Sequence, residues 1–360
     1  MNNNNNNNNR PRRGKRKRYN EDEYNEIPKE KKPKTGYYNN LNQSHFQVND
    51  ISDLIKLGFM YNPSENNSFF QKLFKLIMPL MKLDNLIGMS TIKKEIVDQI
   101  MYFIQGFNER DFDGSMLHCA IYGPPGTGKT HVSSIVGEIY RAIGFLKTDK
   151  ITYGSRTDLI AEYLGQTAVK TKRFLEKAKG GVIIIDEVYS LASGKQNHDS
   201  YAKEAIDTIN QFLSENKKDT LCIVIGYKED VQKCFFDLNK GLERRFPFRY
   251  TIEKYSEEEL RDIFLYQVGL GGWKINESNH SLIINSIHTN PKCFENFGGD
   301  TENYFLACKK ARSKRLFGRI LIDNDKYVLD AEDIKNGIDE FIKMRSETVS
   351  KNDIIGSMYI

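Results

Sequence analysis

The sequence contains only five cysteines, and no two of them form a CxxC pair. They are scattered along the chain, at Cys119, Cys222, Cys234, Cys293 and Cys308. An odd number of widely separated thiols does not suit a disulfide framework, and unpaired cysteines do not suit a zinc site. We therefore expect ordinary core cysteines in a reducing, intracellular compartment.

Long apolar stretches are also missing. No run of 18 apolar residues is present, which predicts that no transmembrane helix and no membrane partner exist. The N-terminus lacks the apolar centre of a secretory signal. The length of 360 residues allows two domains and a tail.

The excess of positive charge is confined to one end of the chain. The net charge is +5 overall, but residues 1–36 carry +6 and the remainder carries −1. A protein that grips duplex nucleic acid needs clustered Lys and Arg on its folded face. The nearly neutral body therefore disfavours that function, and any nucleic-acid contact is expected through the basic tail only.

The first 43 residues are predicted to be a disordered tail. Asn2–Asn9 is a homopolymer that cannot build a core, and the basic blocks Arg10–Arg18 and Lys29–Lys34 follow it. These blocks are compatible with a nuclear import signal, with a nucleic-acid contact or with a neutral solvated tail. Without an import signal, a cytoplasmic location is expected.

A glycine-rich loop is the strongest chemical signal in the sequence. Gly123–Thr130 has the spacing of a P-loop and follows the apolar run Leu117–Tyr122. Its glycines allow tight turns, and its N–H groups with the next helix N-terminus form an anion site. Lys129 would reach the β- and γ-phosphates. The predicted nucleotide-binding residues here are Gly123, Pro124, Pro125, Gly126, Thr127, Gly128, Lys129, Thr130 and His131. The alternative is a glycine-rich surface turn.

Two carboxylates at the end of an apolar run complement this loop. The segment Gly181–Ile185 is typical of a strand buried on both faces, and Asp186 and Glu187 follow it directly. Ligands of open α/β sheets bind at the carboxyl ends of the strands. We expect Asp186 to hold Mg²⁺ through water, Thr130 to bind the same ion, and Glu187 to polarise the attacking water. The alternative is an exposed acidic turn.

The order of elements predicts an α/β sandwich with a parallel sheet, followed by a smaller helical domain. Ser90 is expected to cap a helix over Thr91–Phe107. The predicted domains are a helical lead-in (44–82), a nucleotide-binding domain (83–254), a helical domain (255–345) and a C-terminal tail (346–360). Predicted strands are Leu117–Tyr122, Ile151–Tyr153, Gly181–Ile185, Leu221–Ile225 and Phe248–Ile252. Predicted helices are Lys129–Ile143, Asp158–Tyr163, Ala168–Ala178, Tyr201–Glu215, Asp230–Phe235, Glu257–Val268, Ser278–Ile287, Thr301–Leu316 and Ala331–Lys343.

From Leu83 to Lys343 the chain resembles the CbxX/CfxQ-like family of the AAA+ ATPases. The segments that carry the resemblance are Leu83–Gly88, the P-loop, Arg156–Thr167, Ile183–Leu191, Gly226–Asp230 and Gly241–Pro247. The resemblance implies a P-loop NTPase fold, a three-layer sandwich with a parallel sheet and a small helical lid. It also implies ATP hydrolysis with Mg²⁺, and a ring, usually a hexamer, with ATP between neighbouring subunits.

The resemblance also assigns roles to single residues. Ile87 and Gly88 correspond to the segment beside the adenine. Arg245 corresponds to an arginine finger supplied to the next subunit's γ-phosphate, with Arg244 as the competing candidate. The alternative for both arginines is an ion pair or a contact within the subunit.

Tyr163, Leu164 and Gly165 resemble an aromatic pore loop. In that interpretation Tyr163 projects into a central channel and grips an extended polypeptide without sequence preference. Alternatively, Tyr163 and Leu164 end a helix and pack inside the subunit.

Two positions depart from the wider superfamily. The sensor-1 position, often Asn, falls at Gly226 and Tyr227, and a tyrosine hydroxyl could still position water. The sensor-2 arginine is missing near Gly298–Thr301, and Lys309, Lys310 or Arg312 is its candidate substitute.

Three functions remain open at this point. The first is a ring-forming ATPase that remodels a partner protein. The second is a nucleic-acid translocase or loader of the same fold. The third is a nucleotide-gated scaffold with little turnover, which the sensor departures allow and which Glu187 and Arg245 argue against.

Overall fold

The computed structural model describes residues 46–65, 67–107, 116–163, 165–192, 200–217, 219–319 and 323–357. From Val48 onward these residues belong to one compact unit. The predicted tail (1–43) and Leu164 lie outside the described residues.

A five-stranded parallel sheet lies at the centre of the nucleotide-binding half, in the order β2-β3-β4-β1-β5. All four residues of β3 are buried, as its β-branched sequence predicts. Each predicted strand is confirmed, with ends that differ by two residues or fewer. The strands are β1 (Cys119–Tyr122), β2 (Ile151–Gly154), β3 (Val182–Ile185), β4 (Leu221–Gly226) and β5 (Phe248–Thr251).

Helices cover both faces of this sheet. On one face Gly137 of α4 packs closely against Val182. A methyl group added at Gly137 would lie 2.9 Å from Cγ2 of Val182. On the other face Ile183 and Ile185 pack with α6 and α7 in one apolar cluster. This arrangement confirms the α/β sandwich. The helices are α4 (Lys129–Ile143), α5 (Arg156–Leu159), α6 (Thr167–Ala178), α7 (Ser200–Glu215), α8 (Lys228–Val231) and α9 (Lys240–Glu243).

Three helices precede the sheet: α1 (Ile51–Phe59), α2 (Ser68–Asp84) and α3 (Ser90–Ile104). The prediction that Ser90 caps α3 is wrong. The N-cap is Met89, with φ +59°, and it makes no side-chain cap bond. Because the chain enters α3 through left-handed residues, the extended geometry that a capping side chain needs is missing.

Two predicted helices differ in extent. In place of Asp158–Tyr163, the four-residue α5 begins with a capping box between Ser155 and Asp158 and gives way to extended backbone at Ile160. In place of Asp230–Phe235, α8 is followed by a π turn over Gln232–Phe236.

The C-terminal part is helical, as predicted, with its own apolar core. Its last helix extends to Ser357, fourteen residues beyond the predicted end at Lys343. No described helix is both long and apolar enough to cross a membrane. The elements are α10 (Glu257–Leu270), β6 (Lys274–Ile275), α11 (His280–Thr289), α12 (Gly298–Leu316), α13 (Asp323–Lys326), β7 (Val328–Leu329) and α14 (Ala331–Ser357).

Candidate nucleotide site

The glycine-rich loop connects the carboxyl end of β1 to the first residue of α4. Gly126 and Gly128 have φ of +71° and +82°, a backbone conformation that glycine adopts without strain. Lys129 Nζ donates a hydrogen bond to the Pro124 carbonyl at 2.7 Å, and Thr127 Oγ1 donates to the same oxygen at 2.8 Å. The loop therefore closes on itself at the amino end of a 15-residue helix.

The two carboxylates lie beside this loop. Thr130 Oγ1 donates a 2.6 Å hydrogen bond to Asp186 Oδ2, so the two predicted Mg²⁺-binding side chains meet. Glu187 has φ +48°, rare for a residue with a side chain, and its N–H donates to Asp186 Oδ1 at 2.8 Å. Burial lowers the pKa of Lys129, and the charges of Asp186 and Glu187 partly offset that effect.

Two stacked tyrosines complete this side of the site. The rings of Tyr189 and Tyr227 lie 5.4 Å apart, and Lys129 Nζ lies 5.6 Å from the centre of the Tyr227 ring. Burial and the nearby negative charge of Glu187 raise the pKa of Tyr189 to about 12. Sequence reasoning placed Tyr227 here and missed Tyr189, although it follows Glu187 by two residues.

The segment that contains Ile87 and Gly88 lies next to the glycine-rich loop. Lys93 Nζ donates to the carbonyls of Asp84 and Leu86 at 2.9 and 2.6 Å, which holds the segment in place. Gly88 has φ +65°, and a methyl group there would lie 2.4 Å from Oε1 of Glu259. His131 is exposed in the first turn of α4.

Residues from the C-terminal half also contact the loop. The Tyr255 hydroxyl donates to the Thr127 carbonyl at 3.0 Å, and Gly298 N donates to the Gly126 carbonyl at 3.1 Å. A methyl group at Gly126 would lie 1.9 Å from the Asn296 carbonyl oxygen, so only glycine fits. The region predicted as the sensor-2 position therefore does contact the P-loop.

The candidate substitutes for a sensor-2 arginine have other partners. Arg312 is buried and forms ion pairs with Asp330 and Asp333 inside the C-terminal half. Lys309 Nζ lies 4.3 Å from the centre of the Phe305 ring. Lys310 is exposed.

The arginines predicted as finger candidates lie at the other end of the sheet. Strand β5 runs parallel to β1 with Phe248 opposite Cys119, so Arg245, three residues earlier, lies at the amino end of the strands. The P-loop follows the opposite, carboxyl end of β1. The two ends of this four-residue strand are about 13 Å apart. Arg245 donates hydrogen bonds to Ser214 Oγ and to the Gly241 carbonyl, whereas Arg244 is exposed.

Tyr163 lies between α5 and α6 in a turn closed by a hydrogen bond from Gln166 N to its carbonyl at 3.3 Å. Its side chain is 67% exposed. Gly165 has φ +77° with open space around it. The exposure of Tyr163 does not fit the alternative in which this residue packs inside the subunit, and Leu164, the other residue of that alternative, lies outside the described residues.

Comparisons with known proteins identify a matching family and several relatives. Residues 119–254 match the model of the ATPase family associated with various cellular activities (AAA). A CfxQ-like protein of Acanthamoeba polyphaga mimivirus is 37% identical over 84% of this chain and 75% of its own length. Stage V sporulation protein K of Bacillus subtilis is 30% identical over 70% of this chain and 80% of its own length.

Two further similarities are more limited. The ESX-1 secretion system protein EccA1 of Mycobacterium tuberculosis is 35% identical over 51% of this chain, but the chain spans only about a third of that relative, 32%. Among solved structures, the AAA domain of FIGL-1 is 17% identical, covers 74% of this chain and 88% of its own, and has a TM-score of 0.52. That likeness concerns the fold.

Proposed function

This chain belongs to the CfxQ-like family of AAA ATPases, and from that premise we propose that it forms a ring that uses ATP hydrolysis to remodel a partner protein. As a member of this family it binds a nucleotide and hydrolyses ATP. The observation that carries the proposed remodelling is the exposed Tyr163, presented on a turn beside a glycine.

The side-chain oxygens of Thr130, in the first turn of α4, and of Asp186, directly after β3, fit Mg²⁺. Magnesium prefers one or two carboxylates, hydroxyl oxygens, waters and substrate phosphates to a cage of protein ligands. Thr130 Oγ1 and Asp186 Oδ2 meet at 2.6 Å. Among the described residues, no cluster of three or more His, Cys, Asp or Glu side chains could hold a metal ion. Thr130 would bind Mg²⁺ directly and Asp186 through water, and the ion would neutralise charge on the phosphates.

The residues of this chain supply the remaining chemistry. The backbone N–H groups of Gly126–Thr130 and the Lys129 ammonium would bind the phosphates. Glu187, at the end of β3, would orient the water that attacks the γ-phosphorus and accept its proton. A structurally similar AAA domain has been solved in complex with ADP, which supports nucleotide binding by this fold.

The position of the arginines supports a ring. Arg244 and Arg245 lie at the amino end of the strands, so neither can reach the P-loop of its own subunit without refolding. An arginine finger from this segment would therefore act on a neighbouring subunit's nucleotide. Arg244 is free to extend because it is exposed, whereas Arg245 would first release Ser214 and Gly241.

The aromatic loop supports a polypeptide as the client. An exposed ring offers contact area to an extended chain without selecting its sequence. One relative is named as a secretion system protein, which is compatible with a protein client.

A substrate trap tests this proposal. Glu187→Gln should bind ATP without hydrolysis and retain the client from a source extract. Adding Tyr163→Ala to the trap should release the client, whereas Tyr266→Ala, which removes an exposed tyrosine of α10, should not. Retention that survives Tyr163→Ala would contradict the pore loop. Nuclease-sensitive retention that also survives deletion of residues 1–36 would favour a nucleic-acid translocase.

A further inference from the structure

One face of α10 is directed toward the nucleotide-binding segments. Glu259, Ile263 and Gln267 follow one another at intervals of four residues and therefore share a side of the helix. Gln267 Nε2 donates to the Gly298 carbonyl at 2.8 Å, and Gly298 N in turn donates to the P-loop at Gly126. At its amino end the same face reaches Gly88 through Glu259.

The two carboxylate oxygens of Glu259 have different surroundings. Oε2 accepts the Ser256 N–H at 2.8 Å and completes the capping box that begins α10. Oε1 is directed toward Gly88 and accepts no hydrogen bond from any residue that the structure describes. The capping bond therefore fixes the carboxylate and leaves one acceptor beside the predicted adenine segment.

A small cleft that opens to solvent lies next to this acceptor. It is bordered by the first residues of α3 (Met89–Ile92), by residues of the segment after β5 (Thr251–Tyr255) and by Glu259. Met89 Cε lies 3.4 Å from the point where a Cβ on Gly128 would stand. The cleft thus adjoins the amino end of α4, where the phosphates are expected.

We propose that Glu259 selects adenine by accepting a hydrogen bond on Oε1 from the 6-amino group of the base. This inference rests on the proposed placement of the base beside Ile87 and Gly88. Adenine carries hydrogen-bond donors at its 6-amino group, and a fixed carboxylate oxygen is a strong acceptor for them. The local sequence gives no sign of this role, because a Glu three residues after Ser256 reads as a capping box alone.

The chain offers an almost isosteric test. In Glu259→Gln the side-chain carbonyl can keep the Ser256 bond, since Gln also completes a capping box. Its NH₂ group then occupies the place of Oε1 and offers a donor where the 6-amino group needs an acceptor. The matched control is Glu258→Gln, which removes the same charge from the neighbouring, exposed residue.

The measurement compares the affinity of the full chain for ATP with that for purine riboside triphosphate, which lacks only the 6-amino group. Wild type and Glu258→Gln should prefer ATP about tenfold, as expected for one hydrogen bond to a charged group. Glu259→Gln should lose that preference and bind both nucleotides within about twofold, as the same principle predicts. A tenfold preference retained in Glu259→Gln would overturn the assignment. So would a wild-type chain that binds both nucleotides equally, a result that leaves ring formation and remodelling untouched because the trap measures those separately.

Discussion

At the scale of single residues, burial decides what the sequence could not reveal. His118 is fully buried at the amino end of β1, where Nδ1 accepts the Cys222 N–H at 3.2 Å. Nε2 is also buried, and no described residue is its hydrogen-bond partner. In the sequence this histidine lies inside the predicted strand Leu117–Tyr122, and no local pattern distinguishes it. Its distance from solvent depends on Phe246 and the segment of Arg245, more than a hundred residues away.

This burial predicts a pH-dependent stability. Desolvation, with a smaller contribution from the Arg245 charge, lowers the pKa of His118 from 6.5 to about 3. Between these values the unfolded chain binds a proton that the folded chain does not, so folding loses stability as pH falls from about 6.5 toward 3. The loss should approach about 1.4 kcal/mol per pH unit.

Urea unfolding at a series of pH values measures this dependence. His118→Asn provides the control, because its side-chain carbonyl can accept the Cys222 N–H and does not titrate. We expect the variant to be less stable than the wild type near neutral pH. Below pH 6.5 its free energy of unfolding should depend less steeply on pH, by the contribution of about one bound proton. An unchanged slope would mean that His118 is protonated in the folded chain.

At the scale of elements, the strands were the most predictable. Runs such as Val182–Ile185 are apolar and β-branched because both faces of the sheet are covered, so composition alone indicates them. The short helix α5 and the π turn after α8 were not predictable in extent. These elements contact the 3₁₀ turn Val188–Ala192, and the local sequence does not reveal such a tertiary contact.

An ion-pair cluster joins elements of the lid. The Asp333 carboxylate, fully buried at the start of α14, accepts hydrogen bonds from Arg312 and Arg315 of α12. Burial alone would raise the pKa of Asp333, but these arginines and the Asp330 N–H outweigh it and lower the pKa. Arg312 is therefore a structural residue of the C-terminal helical part, where its guanidinium pairs with Asp330 and Asp333.

Removing that carboxylate charge should unfold the lid more easily. Asp333→Asn leaves Arg312 buried without its full countercharge, a change that typically costs about 3–5 kcal/mol. The single tryptophan, Trp273, packs on Phe305 of α12, so its fluorescence reports on the lid during urea unfolding. Glu332→Gln, at an exposed neighbour 3.9 Å from Arg315, should change stability by less than about 1 kcal/mol. Equal effects of both variants would contradict a structural role for the buried pair.

At the scale of the whole molecule, motif order was sufficient to predict the fold, the family and ATP hydrolysis. The contact of Asn296 and Gly298 with Gly126 could not be predicted, since no local pattern states which residues 170 positions apart will meet. The same holds for Glu259 beside Gly88. In both cases a glycine permits the approach, and only the assembled fold identifies its partner.

The central claim, that the ATPase works as a ring with a finger acting between subunits, is tested most directly by mixing two inactive variants. Glu187→Gln has an intact finger and cannot hydrolyse ATP. A double variant, Arg244→Ala with Arg245→Ala, has an intact P-loop and carboxylates but no finger. In mixed rings, verified by co-purification through different tags, the first variant should supply its arginine to the second. We predict that ATP hydrolysis by the mixture will rise well above that of either protein alone. A mixture that assembles and stays as inactive as its components would contradict the account.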